Sequence, residues 1–291
     1  MKILVTGSNG QLGNEIRELA GRYPQYQFMF TDVAELDITN EDAVQELFAS
    51  FSPEALINCA AYTAVDKAET DREMAFRINA DAPEILAKAC SKFNCLLVHI
   101  STDYVFDGLT WIPQKEDSPT HPVSVYAQSK FEGENRILNF ADRALIIRTS
   151  WLYSAFGNNF VKTILRYGAE RGKLNVVFDQ TGTPTYARDL ADTILSILPS
   201  SLEHKGTHIY HYSNEGVCSW YDFAISIIRK SGIDCNISPI ETKDYPLPAV
   251  RPFYSVLNKE KIKKEYSIQI PHWEESLTDC LNRLGYPPKN V

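Results

Sequence analysis

The sequence is short of the features that define several large protein classes. Its six cysteines, Cys59, Cys90, Cys95, Cys218, Cys235 and Cys280, include no C-x-x-C pair and no histidine spacing suited to zinc. Reduced, buried thiols in a cytoplasmic protein are therefore expected, rather than a disulfide scaffold or a structural metal. There is no surplus of positive charge either: 29 Lys and Arg against 37 Asp and Glu leave a formal charge of -8. A surface for nucleic acid needs the opposite balance, so a small-molecule ligand is the better expectation. No apolar run approaches the roughly 20 residues of a membrane span. The opening Lys2, Ile3, Leu4, Val5 and Thr6 run straight into glycines, without the apolar core of a signal peptide. Repeats and low-complexity tracts are also lacking.

What is present is an ordinary globular composition, 44% hydrophobic and 23% charged over 291 residues, enough for one large domain or two unequal ones. Short runs rich in Val, Ile and Leu at 2–6, 27–31, 55–60, 95–101 and 144–150 read as strands buried on both faces. Helical patterns at 11–20, at 40–51 behind a Thr39 or Asn40 cap, and at 82–93 with Pro83 in the first turn lie between them. Such alternation predicts a Rossmann-type, doubly wound parallel α/β sheet. After Trp151 the pattern loosens into helices at 159–171 and 188–198, a strand at 174–178, a helix opening at Ser219, a proline-dense stretch at 245–252 and a last helix near 273–284. The expected division is a dinucleotide-binding unit over 1–150, with 174–200 adding to it, and a smaller substrate-binding lobe from 151–173 and 201–291.

Directly after the first strand stand Gly7, Ser8, Asn9, Gly10, Gln11, Leu12 and Gly13, a G-x-x-G-x-x-G loop that opens a helix. Glycines there permit a tight turn and let a pyrophosphate approach backbone N–H groups at a helix N-terminus, where the helix dipole favours an anion. The cofactor expected is NADH or NADPH. Asp32 ends the second strand about 20 residues on, where a carboxylate would meet the adenosine ribose hydroxyls, which argues for NADH over NADPH. Arg22 and Lys2 are the cations considered for a 2'-phosphate. Asp37 and Ile38 receive the adenine on one reading, and on the other Asp37 only makes a turn.

Tyr126 and Lys130 are four residues apart at the start of a helical pattern and so share one face. A free phenol has a pKa near ~10, and a fixed ammonium beside it favours the phenolate and brings proton transfer toward the working range. Taken alone, such a pair also fits a solvated helix surface. The glycine loop, and the strand that ends in Ser101, Thr102 and Asp103, favour a catalytic Thr102, Tyr126 and Lys130, because ligands in doubly wound folds sit beyond the carboxyl ends of the strands.

Gly7 to Gly13, Ser101 to Phe106, and Tyr126 with Lys130 resemble the extended short-chain dehydrogenase/reductases. More specific are Asn58 to Glu69, Arg148 to Tyr153, Gly157 to Phe160, Asp179-Gln180 with Gly182 and Pro184-Thr185, and Arg251-Pro252. These resemble the dTDP-4-dehydrorhamnose reductase family over nearly the whole chain. That resemblance implies hydride transfer from NADH or NADPH to the 4-keto carbon of a dTDP-sugar. It also implies Tyr126 as proton donor, Lys130 on the nicotinamide ribose and Thr102 on the carbonyl oxygen. Ala60, Ala61 and Tyr62 then line the cofactor channel, and Asn79 either orders the site or ends a helix. For the sugar nucleotide the expected residues are Thr63, Val65, Thr102, Tyr104, Trp151, Asn159 and Arg251. Trp151 offers a flat face or is plain core; Arg251 offers a cation to the diphosphate or is a surface charge. Some relatives bridge a dimer with magnesium through glutamates, which Glu15 matches, but Arg188 stands where a second one would fall. No metal is expected, and the oligomeric state stays open between monomer and homodimer. The rival readings are a sugar-nucleotide epimerase or dehydratase, which shares the loop and the Tyr/Lys pair, and a non-catalytic subunit like the methionine adenosyltransferase beta chain.

Overall fold

Alternate residues of the first strand point to opposite sides of the sheet, and both sides are apolar: Ile3 and Val5 join one buried cluster and Leu4 the other. The same split recurs at Ile57 and Leu56, at Val98 and Leu97, and at Ile147 and Ile146. A strand with two apolar faces is stable only inside a sheet covered on both sides. The computed structural model, which describes residues 1–287, shows that arrangement. Six parallel strands lie in the order Gly206–His211, Arg143–Thr149, Leu96–Thr102, Ala55–Asn58, Lys2–Thr6 and Gln27–Phe30. Helices Gln11–Leu19 and Ala187–Ser201 cover one face through Leu12, Ile16, Leu190 and Ile194. On the other face, helices Glu41–Phe51, Ala82–Lys92 and Val125–Phe140 contribute Val44, Phe48, Leu86 and Ile137. Each such buried aliphatic side chain contributes about 1.5–3 kcal/mol of transfer free energy.

Strand order reverses between Lys2–Thr6 and Ala55–Asn58, so the chain leaves these neighbours in opposite directions and opens a crevice at their carboxyl ends. The register then decides what lines it. Thr6 pairs with Asn58, Asn58 with His99, and Thr102 with Thr149. Gly7, Ala60, Thr102 and Trp151 consequently emerge from one edge of the sheet.

The expected division of the chain shifts in three places. Gly206–His211 is the sheet's sixth strand, paired with Arg143–Arg148, rather than part of the lobe; Tyr210 and Tyr212 are buried in the sheet cluster and hold it there. Lys173–Val177 leaves the sheet and pairs with Asn236–Ile240, because Val176 and Ile237 belong to the lobe's own core. The helix Glu260–Tyr266 returns to the sheet through Ile262. The lobe itself packs helices Phe160–Arg171, Trp220–Ser231 and Trp273–Arg283 around Tyr153, Phe223, Ile227 and Leu277. A capping box of Ser219 and Asp222 starts the second of these helices.

Lobe and sheet are tied by a buried carboxylate. Glu15, on the helix that follows the glycine loop, meets Arg283 of the last helix at 2.8 Å, Arg188 at 3.3 Å and the Ser154 hydroxyl at 2.6 Å. Two guanidiniums thus occupy the oxygens that a metal would need. No helix is long and apolar enough to cross a membrane among the described residues.

Candidate active site

Of the three loop glycines, two serve the protein itself. Gly7 has φ +62°, and a Cβ on it would lie 2.5 Å from the Ala60 nitrogen; one on Gly13 would lie 2.5 Å from the Ser8 Cα. Gly10 is exposed, and its Cβ would meet nothing nearer than the Gly7 carbonyl oxygen at 3.2 Å. The space there is left for a ligand. Gly10 also brings no capping side chain to the helix Gln11–Leu19, and the first turn holds no acid. The leading N–H groups of Gln11, Leu12 and Gly13 are therefore free for an anion, which is the cradle a dinucleotide diphosphate requires.

Asp32 holds this loop in place. Its carboxylate accepts from the Asn9 N–H at 2.9 Å and the Val33 N–H at 2.8 Å. The basic group beside it is Arg17, which donates to the Ser8 hydroxyl at 2.8 Å and lies 5.0 Å from the Phe30 ring. Neither cation named from the sequence is there: Lys2 donates to the Phe51 carbonyl, at the start of its strand, and Arg22 lies beyond the far end of the helix. Arg17 was legible as the residue four after Gly13, one turn along the same helix face. Of the expected adenine contacts, Ile38 is packed into the core and Asp37 makes the turn, its carboxylate taking the Thr39 N–H and hydroxyl. Those two bonds hold its pKa below the usual range.

Tyr126 and Lys130 are on the helix Val125–Phe140, which Ser124 caps, and both are buried. The solvated-pair reading is therefore excluded. Burial pushes the Tyr126 phenol up to about 12, against the influence of the Thr102 hydroxyl, and pulls Lys130 down to about 8. The Lys130 ammonium donates to the Ile100 carbonyl at 2.7 Å and lies 3.3 Å from His99 Nε2. His99 in turn meets the Asn58 amide at 3.0 Å. Desolvation is the largest influence on the phenol in this arrangement.

Asn79 is buried as well. It brackets Tyr62, accepting from its N–H at 2.8 Å and donating to its carbonyl at 3.0 Å, and donates to Ser129 on the tyrosine helix at 3.0 Å. Asn79 sits in the π-helical stretch Arg77–Asp81, and Gly133 allows the tyrosine helix to approach, since a Cβ there would lie 2.0 Å from the Asn79 backbone carbonyl oxygen. It is a positioning residue for the strand-end loop of Ala60, Ala61 and Tyr62. Those three are part-exposed, and Ala60 lies against Gly7.

On the opposite wall, Val65 packs with Tyr62, Tyr104 and Tyr126, and the Tyr104 ring stands edge-on to Tyr126 at 5.5 Å. Thr63 is exposed. Arg251 reaches the same place through Asp66, with paired bonds of 3.0 and 2.6 Å. Its guanidinium is therefore already occupied and is not a free surface charge. Trp151 adopts φ +48°, unusual for a bulky residue, and stacks on Trp220 at 3.6 Å. The sugar platform expected from Trp151 alone is thus a stacked pair with one face covered. Trp220 escaped the sequence reading because only the turn at Ser219 brings it there. Asn159 is not free for substrate: it caps the helix Phe160–Arg171 and donates to Gln11, Ser154 and Phe156.

A family model described as the RmlD substrate binding domain matches residues 1–286. The chain is 40% identical to a dTDP-4-dehydrorhamnose reductase of Aggregatibacter actinomycetemcomitans, over 95% of this chain and 97% of that one. A solved dTDP-4-dehydrorhamnose reductase from Clostridium acetobutylicum superposes with a TM-score of 0.93 at 43% identity, covering 98% of this chain and 100% of that one. Another, from Bacillus anthracis in complex with NADP, gives 0.92 at 38% identity and covers 97% and 99%. With the glycine cradle, the buried tyrosine and lysine and the strand-end threonine meeting at one sheet edge, the chain belongs to the RmlD substrate-binding-domain family, the family of these dTDP-4-dehydrorhamnose reductases.

Proposed function

We propose that the chain is an oxidoreductase that uses NADPH or NADH to reduce the 4-keto group of dTDP-4-dehydro-L-rhamnose, yielding dTDP-L-rhamnose. The observation that carries this is the buried phenol. A reductase must deliver a proton to an oxygen that is gaining negative charge, and desolvation keeps Tyr126 protonated until that charge appears. When bound, the reduced nicotinamide supplies the hydride. Tyr126 gives its proton to the nascent alkoxide, and the buried Lys130 ammonium, one helical turn along, stabilises the phenolate left behind. Thr102 positions the carbonyl oxygen. Asn58, Asn79 and Ser129 hold the strand-end loop and the tyrosine helix in register.

Gly7 to Gly13 hold the diphosphate of the cofactor. Asp32 accepts the ribose hydroxyls, and Arg17 meets the 2'-phosphate of NADPH, so both cofactors are used. Val65, Tyr104 and the Trp151–Trp220 pair flank the sugar, and Arg251 binds the substrate diphosphate by exchanging Asp66 for it. Purified protein with dTDP-4-dehydro-L-rhamnose should oxidise either cofactor stoichiometrically with dTDP-L-rhamnose formation. Cofactor binding without turnover would leave only the binding-subunit reading. Retention of tightly bound cofactor through a cycle with no net oxidation would instead mark an epimerase.

A further inference from the structure

Thr102 cannot do what a carbonyl oxygen needs in the arrangement it now has. A hydroxyl has one hydrogen and two lone pairs. The Thr102 hydrogen is given to Asp103 Oδ1 at 2.9 Å, and one lone pair receives the Tyr104 N–H at 3.2 Å. Only an acceptor remains, within reach of the Tyr126 phenol, and a carbonyl oxygen calls for a donor. The neighbouring carboxyl group is equally out of balance. Asp103 is buried, and its Oδ2 and the Ser255 hydroxyl contributed by the lobe, although near enough for Ser255 to favour the ionised form, make no hydrogen bond of ordinary geometry. A buried carboxylate with one oxygen unpaired carries a large desolvation penalty, which a proton removes.

We propose that Asp103 works in its protonated form: its O–H donates to Thr102, and the Thr102 hydrogen turns into the cleft to bind the substrate carbonyl oxygen. Asp103 is then a positioning residue that acts through Thr102. No proton leaves it, since the alkoxide takes its proton from Tyr126. Burial pushes the carboxyl up to about 7, with the Thr102 and Ser255 hydroxyls opposing, so the active form predominates below neutrality. The titratable groups facing it are Tyr104 and Tyr126, and the nearby Arg251 charge is balanced by Asp66. The inference rests on the reductase reading for the identity of the carbonyl, but the protonation of Asp103 can be tested without it.

Two measurements decide. Infrared difference spectra of the cofactor-free protein between about pH 5.5 and 8.5 should show a protonated carboxyl stretch that disappears through neutrality and is missing in Asp103→Asn. A carboxylate ionised over that whole range overturns the proposal, and this readout stands even if the enzyme acts on another substrate. In the reductase assay, wild-type kcat/KM should fall about tenfold per pH unit above ~7. Asp103→Asn, whose amide always has a hydrogen for Thr102, should lose that limb and keep turnover within about threefold of the wild type at about pH 6. Adding Thr102→Val to Asp103→Asn should then remove about 10²-fold, the scale of one lost oxyanion donor. A folded Asp103→Asn protein that is about 10²-fold slower at every pH overturns the proposal, because the carboxylate itself would then be required. If Asp103→Asn fails to fold, the infrared titration of native protein carrying 13C-labelled aspartate decides. No turnover at all in wild type, with the infrared band present, would fault the substrate reading and leave the Asp103 assignment standing.

Discussion

On the sheet side of the cleft, Tyr126, Lys130, Asn79 and Ser129 are buried and held in one hydrogen-bonded frame before any ligand arrives. On the lobe side, Arg251, Trp151 and Trp220 are part-exposed and engaged with other side chains, Arg251 with Asp66 and the two indoles with each other. The first wall is preorganised for chemistry: its dipoles need little rearrangement when charge develops. The second must exchange one partner for another, which suits a surface that selects its ligand. The difference follows from construction. Parallel strands in fixed register supply the sheet wall, whereas the lobe wall is assembled from residues at 66, 151, 220 and 251, which share no regular element.

The strongest test of that contrast is Tyr126→Phe. It removes one oxygen from the rigid wall, so kcat should fall about 10²-fold or more while cofactor affinity holds; stopped-flow turnover and cofactor titration check both. Near-normal kcat would make the two walls equivalent.

Next in size is Arg251→Ala, expected to raise the substrate KM about 10- to 100-fold with kcat nearly unchanged, from loss of a charge-assisted contact of ~1.5–3 kcal/mol. Asp66→Asn sharpens it. If Arg251 is exchanged onto the diphosphate, freeing it should leave KM equal or lower. If the pair only braces the lobe, both variants should raise KM alike.

Arg17→Ala comes third. It should weaken NADPH binding about tenfold and leave NADH within twofold, one lost phosphate contact being ~1.4 kcal/mol. Equal effects on both cofactors would assign Arg17 to loop bracing through Ser8.

The last effect concerns stability rather than turnover. Asp103 has a folded pKa raised from 3.8 to about 7, so the folded chain binds the extra proton between those values and stability drains away as pH rises through that window. Asparagine carries no such penalty. Asp103→Asn should therefore raise the melting temperature by about 2–4 °C or more at about pH 8 and by little at about pH 4, read by scanning calorimetry. An equal shift at both pH values would place the effect in packing.

The glycine loop and the tyrosine–lysine pair were legible in the sequence because each is a local spacing tied to one element: a turn that opens a helix, and two residues a turn apart. The strand at Gly206–His211 was assigned to the lobe because its edge position depends on pairing with a segment some 60 residues earlier. Distance along the chain brings Asp37 and Ile38 to the end of the second strand, but only the fold shows that the Asp37 carboxylate makes a turn with Thr39 and that Ile38 is largely buried. The Asn159 side chain was offered to the substrate, although a helix start and the glycine-loop residue Gln11 had a prior claim on its amide.

By itself the sequence determined the parallel sheet, the glycine turn that opens the first helix and the shared face of Tyr126 and Lys130, since hydrophobic alternation, glycine placement and helical spacing act over a few residues. Tertiary structure alone decided the environments. Burial keeps the Tyr126 phenol protonated, turns Lys130 toward Ile100 and leaves an Asp103 oxygen unpaired. The same packing commits Arg251 to Asp66 and brings Trp220 under Trp151. Desolvation and ion pairing depend on which distant segments close over a group, and no local spacing encodes that.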